Sequence, residues 1–301
     1  MSHNLTGAIA PLFTPFNNGE VDHDSLRAMV DWQMEAGSAG ISIGGSTGEP
    51  AVQSLEERAA AIRTVSEHLA GRGSFIPGTG SLSLEDTLEL TQVADDAGAD
   101  AVLIISPYYT KPTQEAMYQW YTRIAREFPH LPMIAYNVPT RTAVDIAPET
   151  FARIYRDNDN VIGIKETTKD FEHFSRTRHL CGKDVLMWSG IELLCLPIIA
   201  LGGTGFISAL SNIAPKAVAE TYAAAVEGDW ERARELHYGV HPLVDLLFVE
   251  TNPVPAKWLM KERGLIASDE VRPPLIGLTE AGQKRTMELA KQAEDFLTPV
   301  K

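Results

Sequence analysis

The chain has 301 residues, 44% of them hydrophobic and 22% charged, with 23 glycines and 18 prolines spread along it, a globular composition that excludes intrinsic disorder and collagen-like repeats. Its 26 basic against 40 acidic residues leave a formal charge of −14, which repels phosphate backbones and anionic lipid and argues against a nucleic-acid or membrane-surface role. The two cysteines, Cys181 and Cys195, are too few for a disulfide framework and lack the paired spacing of a zinc site, so both are expected to be reduced core residues.

No basic-then-apolar leader precedes Thr6, and the longest apolar stretches, 101–105 and 196–201, fall well short of the about 20 residues that a membrane helix needs. The expectation is a soluble cytoplasmic protein. Eight short β-branched or apolar runs follow in order, at 8–14, 40–43, 75–78, 101–106, 133–137, 161–166, 185–189 and 205–208. Runs such as AVLII and VIGI are nearly continuous in hydrophobicity, as parallel strands buried on both faces are. Helical periodicity fills the gaps: Leu26, Met29, Val30 and Met34, then Ala59, Ile62, Val65 and Leu69, then Leu84, Leu88, Thr91 and Ala94. Start signals agree, with Asp22 and Asp24 before the first helix, Ser54 and Glu57 as a capping box for the second, and Ser83 with Asp86 for the third.

Eight βα units within the first 208 residues fit a (β/α)8 barrel, with a doubly wound open sheet as the alternative. Residues 1–228 are read as the barrel. Residues 229–301, where 230–248, 255–260 and 279–296 read as helices without a further strand, form a helical appendage; no glycine-serine linker separates it from the barrel, so it is expected to pack there.

A barrel of this kind builds its site at the carboxyl ends of the strands, which here carry GGSTGEP, SPYY, YNVPTR, IKET, WSG and GGTGFIS. Lys165 is in phase with Val161 and Gly163 on a strand expected to be buried. A desolvated lysine favours the neutral, nucleophilic amine that a Schiff base requires; the alternative is that the strand ends there and Lys165 points into solvent. Tyr136 at the end of the fifth strand can donate and accept in a proton relay, or can simply cap the core. Ser46 and Thr47 lie in a glycine-rich turn whose amides could hold a carboxylate, or which is a plain tight turn. Arg141 could clamp a substrate carboxylate with both nitrogens, or lie solvated in its loop.

Other readings are weaker. Gly44, Ser46 and Gly48 fit G-x-S-x-G, but a serine hydrolase needs a late acid and histidine at strand ends, and His237 and His241 fall inside a predicted helix. That histidine pair has metal-ligand spacing without a third ligand. Gly202, Gly203 and Gly205 lack the basic companion of a phosphate grip and read as turn glycines.

With TGAIAPLFTPF, PGTG, SPYYTKPTQEAMYQWY, IGIKETT and VETNPVPAKW added in order, essentially the whole chain resembles the dihydrodipicolinate synthase and N-acetylneuraminate lyase family. The resemblance implies a class I pyruvate-dependent aldolase on a (β/α)8 barrel with extra C-terminal helices. It implies that Lys165 forms the Schiff base with pyruvate, that Tyr136 shuttles the proton, and that Ser46 and Thr47 bind the pyruvate carboxylate. It further implies a hydroxyl relay of Thr47, Tyr136 and Tyr109, with Tyr109 supplied by a neighbouring subunit, and a pocket lined by the backbone of Gly190 and Ile207. No metal or organic cofactor is implied. The implied assembly is a homo-oligomer, a tetramer of two tight dimers.

Within the family the features divide. GGSTGE followed by Val52, Gln53 and Ser54 resembles the sialic acid lyases, since the synthases more typically have threonine in place of Ser46. Arg141, PYYTKP and ETNPVPAKW resemble the synthases, in which the arginine grips the carboxylate of aspartate semialdehyde, and the lysine-biosynthetic condensation to 4-hydroxy-tetrahydrodipicolinate is the favoured reading. Pro50, Leu55 and Leu82 replace polar residues typical of the lysine-inhibited synthases, which implies weak or absent feedback inhibition.

Overall fold

The structure, a computed structural model, describes residues 5–300. Eight parallel strands form one sheet: β1 (Gly7–Pro11), β2 (Gly40–Ser42), β3 (Ser74–Phe75), β4 (Val102–Ile105), β5 (Met133–Asn137), β6 (Val161–Glu166), β7 (Leu186–Ser189) and β8 (Gly205–Ile207). β1 lies between β2 and β8, so that Ile9 stands opposite both Gly40 and Ile207. The remaining order runs from β8 back to β4, and the two ends meet through a parallel bridge between Gly78 and Leu103. There Leu103 N donates to Pro77 O at 2.9 Å and Thr79 N to Leu103 O at 3.2 Å. The sheet closes on itself as a (β/α)8 barrel, which removes the open-sheet alternative.

Each strand serves two cores, the reason for its near-continuous hydrophobicity. Ile9, Leu103, Ile134, Tyr136, Trp188 and Ile207 fill the barrel, while Ala10, Ile104, Ala135 and Met187 meet the helical layer outside through Leu26, Val65 and Ile124. The caps lie where the sequence signals place them. Asp22 accepts from the amides of Asp24 and Ser25 at the start of His23–Glu35, Ser54 and Glu57 complete a capping box on Leu55–Leu69, and Ser83 accepts from Asp86 N before Leu84–Asp96.

Three elements differ from their predicted extent. β1 stops at Pro11 rather than at residue 14, because the amide of Phe13 turns to the Asn212 side chain at 3.1 Å. The third strand is only Ser74–Phe75; Pro77 has no N–H to give, although Ile76 N and Gly78 N still donate to Ile41 O and Ile43 O. The predicted helix 230–248 is two, Trp230–Gly239 and His241–Leu247, since Pro242 cannot continue the ladder back to Tyr238. Val254–Glu262 and Glu280–Gln292 complete the C-terminal helices. Leu243, Leu246, Ala256 and Leu259 join the outer core, and Trp32 Nε1 donates to Pro299 O at 2.8 Å.

Cys195 is buried and Cys181 half-buried, both unpaired to sulfur. Burial pushes the Cys181 thiol up to about 11 and that of Cys195 well above its ordinary value, so neither offers a thiolate at neutral pH. No helix among the described residues is long and apolar enough to cross a membrane.

Candidate active site

Adjacent pairing of β5 and β6 sets the centre of the site. Tyr136 is the register partner of Lys165, and Asn137 that of Glu166. Lys165 is 5% exposed and points into the barrel, its Nζ 4.3 Å from the centroid of the Tyr136 ring; the solvent-pointing alternative falls. Lys165 is not in phase with Val161, however. Val161 faces the outer core and Ile162 packs inside, because Met133 pairs with Val161 but Ile134 with Gly163, an irregularity that resets the alternation before Lys165. Room for the lysine comes from Gly190, where a Cβ would lie 2.6 Å from Lys165 Cε.

The turn after β2 supplies the next groups. Gly44 has φ +69, and a Cβ there would meet Gly78 O at 2.5 Å, so only glycine lets the ends of β2 and β3 approach. Ser46–Gly48 then form a single 3-10 turn. It brings Ser46 Oγ within 3.4 Å of Tyr136 OH, and Thr47 Oγ1 accepts from Asn252 Nδ2 at 3.1 Å. Arg141 sits on the helical turn Pro139–Thr142 after β5 and donates to Asn252 O at 3.4 Å. A cavity of about 280 Å³ opens beside this turn, lined among others by Ser46, Tyr136, Arg141, Asn252, Tyr108 and Arg58; Lys165, Thr47, Gly190 and Ile207 are not among its lining residues, and Lys165 lies behind the Tyr136 ring.

Not every predicted site residue gathers there. Tyr109 is 86% exposed at φ +66 and does not line the cavity, whereas its neighbour Tyr108 does. Within one chain the relay of Thr47, Tyr136 and Tyr109 is therefore not assembled: Tyr136 OH neighbours Ser46, and Thr47 is held by Asn252. Ile207 packs in the inner core beside Tyr136, and Gly190 N donates to Glu166 O at 2.8 Å. Among the described residues no histidine lines the cavity, which leaves Ser46 without the base that a serine hydrolase needs. His237 and His241 stack edge-on at 5.5 Å, and among the described residues no group of three or more His, Cys, Asp or Glu is placed to hold a metal.

The sequence model of the dihydrodipicolinate synthetase family matches residues 4–293. The chain belongs to that family. It is 43% identical over 286 residues to the 4-hydroxy-tetrahydrodipicolinate synthase of Thermus thermophilus, covering 95% of both chains. Among solved structures, dihydrodipicolinate synthase from Aquifex aeolicus superposes with a TM-score of 0.94 at 35% identity, covering 98% of this chain and all of the other. The chloride-inhibited dihydrodipicolinate synthase of Acinetobacter baumannii, complexed with pyruvate, superposes with a TM-score of 0.92 at 37% identity over 96% of this chain and 99% of that one.

In this member of the dihydrodipicolinate synthetase family, folding adds site residues that sequence reasoning missed. Asn252 reaches Thr47 across 205 positions, a proximity that no local pattern announces. Arg58 is buried and donates to the carbonyls of Gly78 and Gly80 at 3.2 and 3.1 Å; desolvation brings its guanidinium down to about 10. Behind β6, His173 lies with Nδ1 3.2 Å from Glu166 Oε2 and Nε2 3.3 Å from Asp145 Oδ1. Burial works to lower its pKa, but the two carboxylates outweigh burial and push it up to about 10.

Proposed function

We propose that this protein condenses pyruvate with aspartate semialdehyde to give 4-hydroxy-tetrahydrodipicolinate, through an imine on Lys165. The observation that carries the reading is the enclosed lysine, 5% exposed inside the barrel and 4.3 Å from the Tyr136 ring. A buried amine facing the barrel interior is suited to attack a carbonyl carbon. Lys165 adds to C2 of pyruvate, and loss of water from the carbinolamine gives the protonated imine. Tyr136, whose hydroxyl neighbours Ser46, carries the protons of that step. The turn at Ser46 and Thr47 takes the pyruvate carboxylate through its hydroxyls and amides.

The protonated imine is the electron sink, so the methyl group of pyruvate can lose a proton to give an enamine without a metal or organic cofactor. The enamine carbon attacks the aldehyde, whose carboxylate Arg141 holds from the cavity wall. The new hydroxyl takes its proton from the relay, and attack of the substrate amine on the imine carbon closes the ring and frees Lys165. Relatives named as synthases favour this reading over sialic acid cleavage, and Ser46 supplies a hydroxyl where threonine is more typical.

The assembly we propose is a homotetramer of two tight dimers, working in the cytoplasm. It is supported by Tyr109, a large aromatic side chain left exposed on a positive-φ backbone outside its own cavity, where a second copy could take it up and complete the relay. The experiment that tests the function is borohydride trapping with pyruvate, followed by intact mass and peptide mapping, and then turnover with aspartate semialdehyde. A reduced adduct on Lys165 together with condensation is expected. An adduct without condensation would redirect the aldehyde to sialic and sugar acids, and no adduct would remove the Schiff-base chemistry.

A further inference from the structure

The turn that takes the pyruvate carboxylate is gripped at two points by the C-terminal part of the chain. Asn252 Nδ2 donates to Thr47 Oγ1 at 3.1 Å, and two residues further on Glu49 Oε1 accepts from Lys257 Nζ at 2.5 Å. The second contact is an enclosed ion pair: the Lys257 side chain is 0% exposed and that of Glu49 3%. Lys257 Nζ also donates to Glu270 O at 2.9 Å and stands 4.2 Å over the Phe16 ring. Glu49 Oε2 accepts the amide of Arg272 at 3.3 Å. Arg272 lies 4.3 Å from the same ring and binds Glu57 through both carboxylate oxygens, at 2.5 and 2.8 Å.

Glu49 has φ 55 and ψ 40 directly after Ser46–Gly48, a left-handed conformation that a residue with a Cβ adopts only when its surroundings hold it there. Its amide donates to Ser46 O at 3.4 Å and its carbonyl accepts from Val52 N at 3.2 Å, while the ion pair fixes the far end of its side chain. A buried pair is a poor device for gaining stability, because desolvation of two charges offsets their attraction. Fixed geometry is what it supplies in return.

We propose that the Lys257–Glu49 pair is a latch that keeps the Ser46–Thr47 turn in its carboxylate-binding shape, which makes both of them positioning residues for the pyruvate half of the reaction proposed above. They act through the turn, so their loss weakens pyruvate capture and leaves the chemistry on Lys165 intact once pyruvate is bound.

The test is the pyruvate concentration that gives half-maximal borohydride trapping on Lys165, which needs no aldehyde. Replacing both charges by apolar groups of similar size, Glu49→Leu with Lys257→Met, leaves no unpaired buried charge and should keep the fold. The double variant is expected to need about tenfold more pyruvate or more, with the maximal trapping rate within about threefold of the parent. A requirement within about twofold of the parent, in a variant that melts like the parent, overturns the latch and reduces the pair to a structural contact. Should the double variant not fold, Glu49→Gln keeps the shape and drops the charge; a rise of about threefold supports the latch and an unchanged requirement overturns it. A parent that forms no adduct on Lys165 overturns the proposed function, and the latch with it; a parent adduct beside an unshifted variant overturns the latch alone.

Discussion

Tyr136 and Lys165 face each other as register partners on neighbouring barrel strands, with the ammonium nitrogen 4.3 Å from the ring centroid. Their spacing is therefore set by backbone hydrogen bonds between β5 and β6, not by loop conformation. A site carried on rigid strands holds its geometry better than one carried on loops, and here the two groups assigned to imine formation are the ones so carried.

Lys165→Ala removes the nucleophile while taking nothing essential from the core. Turnover is expected to fall by at least about a thousandfold, borohydride trapping to vanish, and the melting temperature to stay within about 5 °C of the parent. Residual turnover within about tenfold of the parent, roughly 1.4 kcal/mol in barrier, would assign the nucleophile elsewhere.

Gly190→Ala probes the same lysine from its neighbour. A Cβ at this position would overlap Thr167 Cγ2 and lie 2.6 Å from Lys165 Cε, and the backbone is anchored by Gly190 N donating to Glu166 O at 2.8 Å. The lysine must then leave its rotamer. Trapping at saturating pyruvate should slow about a hundredfold, with a stability loss of about 1–3 kcal/mol in denaturant titration. Parental trapping rates in this variant would show that the lysine has room that the packing denies it.

The barrel was legible in the sequence because strands that bury both faces write themselves as continuous apolar runs, and because Ser54 with Glu57 and Asp22 mark helix starts chemically. The direction of Lys165 stayed open on strand pattern alone, and its phase with Val161 misled: the irregularity near Gly163 shifts the alternation, and a bulge leaves no mark in a hydropathy pattern. Asn252 on Thr47 and Lys257 on Glu49 could not be read at all, since each pair is more than 200 positions apart. Chain order carries no distance information at that range. Tyr109 marks a different boundary, because its surroundings in one chain are solvent.

Arg141 should divide the two substrates. Arg141 lines the cavity, and its guanidinium donates to the carbonyl of Asn252 at 3.4 Å. Arg141→Ala is expected to raise KM for aspartate semialdehyde about a hundredfold, while the pyruvate requirement for trapping changes by less than about threefold. Equal losses for both substrates in steady-state kinetics would make Arg141 a residue that shapes its loop.

Free lysine should leave turnover unchanged at low millimolar concentration. Pro50 lines the cavity wall beside the turn, Leu55 opens the helix that follows it, and Leu82 stands exposed; none of the three accepts a hydrogen bond from an ammonium group through its side chain. Clear inhibition in a titration of lysine against initial rate would contradict this.

His173 gives the fold a pH dependence whose sign follows from its neighbours. Glu166 and Asp145 push its pKa up to about 10 in the folded protein, against about 6.5 for an unconstrained histidine. Between those values the folded chain binds a proton that the unfolded chain has released. The stabilisation is thus complete below about pH 6.5 and is lost as pH rises toward 10. His173→Gln leaves Glu166 buried without its cation, and should cost about 3 kcal/mol at pH 6. At pH 10 the parent has surrendered about half of the same charge, so the gap between the two melting temperatures should narrow steadily over that interval. A gap that stays constant in thermal melts from pH 6 to 10 would mean that His173 is neutral in the folded protein, and that Glu166 is satisfied by Asn137 Nδ2, 3.1 Å from its Oε2, and by the amide of Thr168 at 2.8 Å.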